Sequence, residues 1–388
     1  MSARKSALLD LLIQSHVLQV EPLEGFDTGL SEQRPMPFLA IVGQNEMRMA
    51  LLLSVINPAI GGVLLIGPRG IGKTTAVRSL SEILPMIEIS DCDEEALPNE
   101  IEQLSAEDAS FLFPDCYEKY SQGESISHFE SVKIVELPLN AHLDDVIGRI
   151  NERMAVQRNQ IEIERGILSK ADNNILYIDE VNLLPDEVVD AILDASAQGH
   201  FTVRRGAVSG TYRSRFVLIG SMNPEEGKLR PQILDRFGLR VNVRGLTNYE
   251  ERMLVYQRMR QYRTNPSRFV REWEENSNMM REEIILAKEK LKNIEISEKA
   301  YQIGMHLIQN LEIDSHRADH TLFEAARAHA AADGRPEANL HDIQQVAHMA
   351  LRQRKSDFMI QFYEEQYEED LTIMNTIEKL SQDESLNE

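Results

Sequence analysis

The chain has 388 residues, 42% of them hydrophobic and 27% charged, enough for two or three folded units with a real core. Its formal net charge of −22 repels a phosphate backbone and argues against nucleic acid as the main substrate. No apolar run reaches the ~18–20 residues of a membrane span, and two cysteines, Cys92 and Cys116, are too few for a disulfide framework.

Residues 1–35 read as a helix-like arm followed by a polar loop. The apolar stretch Leu8–Ile13 is broken by Asp10 and lacks a small-residue cleavage site, so a secretory signal is not expected and a cytoplasmic chain is. From residue 36 the pattern alternates. A helix with Met47, Leu51, Leu52 and Val55 on one face is stopped by Pro58 and Gly61-Gly62. Val63-Leu64-Leu65-Ile66 follows as a continuous apolar run, the signature of a strand buried on both faces, and helical spacing returns over Lys73–Leu84.

Residues 88–130 are acidic with weak periodicity and read as a variable, loop-like insertion in which Cys92 and Cys116 are ordinary reduced thiols or a redox pair. Further on, Val132–Leu139 predicts a strand and Leu143–Ala155 a helix or part of one. Ile175–Ile178 predicts a second buried strand, Val188–Ala197 a helix, Phe201–Tyr212 a hairpin, Phe216–Gly220 a third strand and Val241–Val243 a fourth. Short apolar strands alternating with helices imply a parallel sheet covered by helices at 36–245. Beyond Tyr249 only helices are expected: a polar helical connection at 246–295, three amphipathic helices at 296–355, and an acidic tail at 356–388 that is disordered after Ser381.

The chemistry concentrates at three strand ends. Gly67-Pro68-Arg69-Gly70-Ile71-Gly72-Lys73-Thr74, with Thr75 beyond, matches the full G-x-x-x-x-G-K-[ST] loop between an apolar strand and a helix. Glycines let backbone N–H groups fold round phosphates at a helix N-terminus, Lys73 reaches the β/γ-phosphates, and the Thr74 hydroxyl ligates Mg²⁺. The strand Ile175–Ile178 delivers Asp179 beside that loop, where it can hold Mg²⁺, and Glu180, where it can polarise an attacking water as general base. Asn223, in Met222-Asn223-Pro224, sits where it can orient that water; its alternative is a turn-forming Asn-Pro. Arg236, in Leu234-Asp235-Arg236-Phe237, is by itself no more than a surface arginine paired to Asp235.

Taken in order, the loop, Ile-Asp-Glu, Met-Asn-Pro and Leu-Asp-Arg-Phe resemble the AAA+ ATPases. Longer strings narrow the resemblance: Ile41-Val42-Gly43-Gln44-Asn45-Glu46-Met47, Leu176–Leu184, and Asn223–Gly238. These are similar to the ATPase subunit I family of magnesium chelatases, over about residues 36–355 and faintly in 88–130.

That resemblance implies an α/β P-loop AAA+ αβα sandwich with a C-terminal all-helical lid, ATP and Mg²⁺ as cofactors, and a ring, hexameric in the family. It also implies a second subunit with a von Willebrand A or integrin-I-like metal site and a large porphyrin-binding subunit, together inserting Mg²⁺ into protoporphyrin IX. Ile41 and Val42 would lie against adenine, Asn223 would be sensor 1, Arg236 the arginine finger and Arg317 the sensor 2 arginine. Residues 132–165 would hold the family's helix-2 insertion. Asn140–Asp144, Ser315–Ala318, Pro68 and Ile71 depart from the family pattern without touching the ATP chemistry. They keep open a MoxR-like remodeller, working with a von Willebrand A-domain partner, as the alternative. A DNA-associated motor would need a basic channel face, which the charge opposes.

Overall fold

The computed structural model describes residues 8–14, 34–92, 96–150, 163–205, 208–355 and 365–374. In chain order the strands are β1 (Val63–Ile66), β2 (Met86–Ser90), β3 (Ser127–Ser131), β4 (Ile134–Leu137), β5 (Gly148–Ile150), β6 (Ile163–Arg165), β7 (Ile175–Ile178), β8 (His200–Arg205), β9 (Val208–Arg213), β10 (Val217–Met222), β11 (Leu239–Asn242) and two short ones that pair between the C-terminal helices, β12 (Glu295–Ile296) and β13 (Glu337–Ala338). Five of them form one parallel sheet in the order β11-β1-β10-β7-β4, with Val63 beside both Ile219 and Leu239, and Ile175 beside both Val217 and Ile134.

Every residue of β1 and β7 is buried, because side chains of period two feed two separate cores. Val63, Leu65, Ile175 and Tyr177 point to one face, where the helices Asn45–Ile56 and Lys73–Ser79 pack. Leu64, Ile66, Leu176 and Ile178 point to the other, against Val188, Val189, Ile192 and Leu193 of the helix Asp186–Gln198.

The C-terminal region is helical: Tyr249–Thr264, Pro266–Glu272, Glu274–Leu291, Glu298–Asn310, His316–Ala332 and Leu340–Leu351. The alanine-rich face of His316–Ala332 lets it approach Asn45–Ile56 closely, so the first core runs without a break from the sheet into these helices.

Several expectations need correction. The 88–130 segment is no loop: β2 and β3 pair antiparallel and enclose the helices Pro98–Glu102, Ala106–Leu112 and Pro114–Ser121 around a small core of their own. Cys92 and Cys116 are both buried in that core as free thiols, which gives them a packing role. Within the N-terminal arm, the helix Leu8–Gln14 is docked, with Leu8 and Leu12 buried in the main core. Of Leu143–Ala155, read as a helix or part of one, the part Leu143–Ile147 is helical, because Gly148 takes φ +112° and turns the chain into β5, which pairs with β6. In the acidic tail, residues 365–374 are helical. Residues 1–7, 15–33, 151–162, 356–364 and 375–388 lie outside the described residues, and with them much of the arm, the helix-2 insertion and the tail after Ser381.

Candidate nucleotide site

The phosphate loop leaves β1 at Gly67, whose N–H donates to the Met222 carbonyl of β10 at 3.0 Å. Gly67 is obligatory, since a Cβ there would lie 2.2 Å from the Val243 carbonyl oxygen. Gly70 and Gly72 adopt φ +79° and +92° in open space, which leaves the backbone of this turn uncovered by side chains. Gly72 leads directly into the helix Lys73–Ser79, so the loop's last N–H groups join the positive end of a helix dipole.

Lys73 is almost buried, and its Nζ donates to the carbonyls of Gly67 and, at 2.9 Å, Pro68. Burial pulls its ammonium below the ordinary lysine range, opposed by the charges of Asp179, Glu180 and Glu226. This is a cation folded back on its own loop.

Asp179, at the end of β7, lies across from the loop. Its Oδ2 is 3.5 Å from Thr74 Oγ1, while its Oδ1 accepts from Tyr177 OH at 2.9 Å and from Ser221 Oγ. Burial is the main cause that pushes the Tyr177 hydroxyl up to about 12, so it stays a donor at neutral pH. Tyr177 and Ser221 were not singled out in the sequence. The signal was available: Tyr177 is two residues before Asp179 on one strand face, and the β10–β7 register sets Gly220 beside Ile178, hence Ser221 beside Asp179.

Glu180 has left-handed backbone, φ +53°, an uncommon conformation for a glutamate, and its N–H donates to Ser221 Oγ at 3.2 Å. Arg69 of the loop grips both its carboxylate oxygens, at 2.8 and 3.1 Å, and reaches Glu226 at 2.8 Å. Asn223, just beyond β10, is buried; its Oδ1 accepts from the Glu225 N–H at 3.3 Å, and it lines the same cleft.

That cleft has a volume of about 780 Å³, within the ~300–1,000 Å³ range of small-ligand sites. Ile41 and Val42 form one wall with the whole loop Pro68–Thr75, and Val255, Tyr256 and Met259 of the helix Tyr249–Thr264 form another. Arg258 ties the two walls together by donating to the Ala40 carbonyl at 2.9 Å from over the Trp273 ring.

Arg236 and Arg317 are not in this cleft. They line a second cavity, about 340 Å³, together with Asp194, Asp235 and His320. Arg236 is paired to Asp194 at 2.8 Å and to Asp190 at 3.6 Å, rather than to Asp235 as the sequence suggested. Asp235 belongs to Arg317, Arg354 and Ser315.

The donor set fits a magnesium nucleotide. A loop left open at Gly70 and Gly72 precedes a helix N-terminus, a near-buried ammonium is held by loop carbonyls, and a hydroxyl faces a carboxylate of matching hardness. The fold and this site define a P-loop ATPase of the AAA+ class.

Comparison with known proteins narrows the class. Residues 152–230 match the family model for magnesium chelatase, subunit ChlI, and residues 304–375 match that for the AAA lid domain. A magnesium-chelatase subunit ChlI homolog of Methanocaldococcus jannaschii is 43% identical over 325 residues, covering 83% of this chain and 86% of that one. The chloroplastic magnesium-chelatase subunit ChlI-2 of Arabidopsis thaliana is 38% identical over 343 residues, covering 88% and 80%. A solved putative ATPase from Cytophaga hutchinsonii shares the fold at 19% identity, with a TM-score of 0.52 over 81% of this chain and 83% of that one. The chain belongs to the magnesium-chelatase subunit I family.

Proposed function

We propose that the chain is the ATPase ring subunit of a magnesium chelatase, hydrolysing ATP at interfaces between copies of itself and spending that energy on Mg²⁺ insertion into protoporphyrin IX. Its partners in this reading are a second subunit with an integrin-like metal site and a large porphyrin-binding subunit. The observation that supports it is that Lys73, Thr74, Asp179, Glu180 and Asn223 line one cavity and Arg236 and Arg317 another, in a chain 38–43% identical to subunits of that name or their homolog.

In the first cavity Lys73 and the loop N–H groups bind the β/γ-phosphates, and Ile41 and Val42 pack against the base. Thr74 and Asp179 would hold Mg²⁺, which supplies charge neutralisation between the phosphates. Asn223 orients the attacking water and Glu180 accepts its proton. To do so Glu180 gives up Arg69, an exposed partner whose loss costs little. Arg236 and Arg317, in the second cavity, belong to the neighbour's γ-phosphate. A hexamer of such chains closes every site with its neighbour's arginines.

The test is reconstitution with the two partner subunits, following formation of the magnesium porphyrin by absorbance. Product that requires this chain and its hydrolysis of ATP supports the reading. ATPase stimulation by the metal-site partner without any metal insertion would refute it and leave the remodeller.

A further inference from the structure

The residue beside the finger has more partners than any surface carboxylate needs. Asp235 accepts the single Ser315 hydroxyl proton, whose Oγ lies 2.9 and 3.0 Å from its two oxygens, and a hydrogen bond from Arg354 Nη1 at 2.9 Å. Arg317 Nη1 is 3.6 Å from its Oδ2, and Arg240 Nη2 is 3.9 Å from its Oδ1. Arg354 and Arg240 are fully buried, and burial pulls both guanidinium groups below the usual arginine range, Arg240 to about 9. Arg354 also donates to the carbonyls of Phe237 and Gly238, and Arg240 to those of Leu234, Arg352 and Gln353.

These contacts have a direction. Ser315 and Arg317 start the helix His316–Ala332, and Arg354 follows Leu340–Leu351, so all three come from the C-terminal helical region. Asp235 is in the short helix Pro231–Arg236, one residue before Arg236. That helix has only six residues, and the carboxylate is where three side chains of the helical region meet it, beside main-chain contacts from Arg354 and Arg240.

We propose that Asp235 is a positioning residue for the trans arginines: it fixes the helix that presents Arg236 to the lid helices, and holds Arg317 on the same cavity. A shift of the lid would then be transmitted to both arginines together. This rests on the reading that Arg236 serves a neighbouring subunit. A displacement of about 1 Å in such a group reduces rate about 10²-fold, a large part of the 10³–10⁵ a finger supplies.

The experiment mixes variants and measures ATP turnover at assembling concentrations. The reference mixture, Lys73→Ala with Arg236→Ala, contains no change at Asp235; recovery there establishes trans action, and no recovery removes both that reading and this inference. Given recovery, Asp235→Asn mixed with Lys73→Ala should regain turnover, because its own phosphate loop meets an intact finger. Asp235→Asn mixed with Arg236→Ala should stay about 10²-fold lower, because neither chain presents a working finger. Equal recovery in both mixtures overturns the proposal, as does failure in both, which marks a purely structural residue. Ser315→Ala removes only the lid's hydroxyl contact and preserves the buried charges. It should show the same asymmetry more weakly, and a symmetric effect counts against the proposal.

Discussion

Replacing Gly67 by alanine separates the site from the general stability of the fold. The added Cβ would meet the Val243 carbonyl oxygen at 2.2 Å, against 3.4 Å for ordinary contact, so something must move by about 1.2 Å. Neither side can yield locally: Gly67 is hydrogen-bonded to Met222 at 3.0 Å, and the Val243 N–H to the Ile66 carbonyl at 2.8 Å. Overpacking of this kind costs about 1–3 kcal/mol, which lowers the melting temperature by roughly 2–4 °C per kcal/mol. The start of the loop is displaced as well, and a 1 Å error at phosphate-binding groups costs about 10²-fold. A useful control is Gly123→Ala in the insertion, where a Cβ meets nothing within 4 Å but φ is +80°, so it should cost about 1–2 kcal/mol of stability and no affinity. Calorimetric binding of Mg-ATP beside thermal melting reads both quantities. Wild-type affinity in Gly67→Ala would refute the assignment of this turn as the phosphate cradle.

Glu180→Gln should keep ATP bound and slow hydrolysis by about 10²-fold or more, whereas Lys73→Ala should lose binding itself; nucleotide binding measured beside turnover distinguishes them. In the lid, burial disfavours the Asp342 carboxylate, but hydrogen bonds from His329 and Arg335 outweigh it and hold the group down at about 2. A depressed carboxylate stabilises the fold above its unfolded pKa, so about 2 kcal/mol present at neutral pH should be lost as pH falls from about 4 to 2. Asp342→Asn should flatten that acid limb in pH-dependent denaturation. Excising residues 92–125 and joining Asp91 to Ile126 through a short turn should leave basal ATPase and the main melting transition intact, since the excised helices pack on their own core. A collapsed melting transition in the deletion would show that this core supports the main one.

How much was legible in the sequence follows from where each contact comes from. β1, β7 and β10 were readable because strands buried on both faces are continuous apolar runs, bounded here by glycine or acid. Asp179 and Glu180 could be placed for the same reason, being the first polar residues past β7, and the loop by its glycine pattern directly after β1. The insertion was misread because its core is built from Cys92, Ala96, Ile101, Ala109, Cys116 and Ile126, single residues from three short helices and the turns beside them that show no period. Where the helix in Leu143–Ala155 stops was not legible, because apolar spacing continues through Gly148, and only the backbone shows the turn there. The partners of Asp235 were invisible, since Ser315 and Arg354 lie 80 and 119 residues away in sequence.

The position of Arg236 bears on whether one chain is a complete enzyme. In the lone chain its guanidinium rests on Asp190 and Asp194, both partly exposed, and such pairs contribute about 0–1 kcal/mol. A finger on a neighbour's γ-phosphate is worth about 10³–10⁵ in rate, or roughly 4–7 kcal/mol. On the proposed reading, these weak pairs are what Arg236 gives up at an interface, and the finger's stabilisation is realised only in the transition state of hydrolysis. Turnover per chain should rise with protein concentration and saturate when sedimentation shows the ring complete. Arg236→Ala should remove that rise while leaving the weak turnover of dilute chains unchanged. Turnover per chain that is independent of concentration across the assembly range would return Arg236 to an ordinary surface arginine.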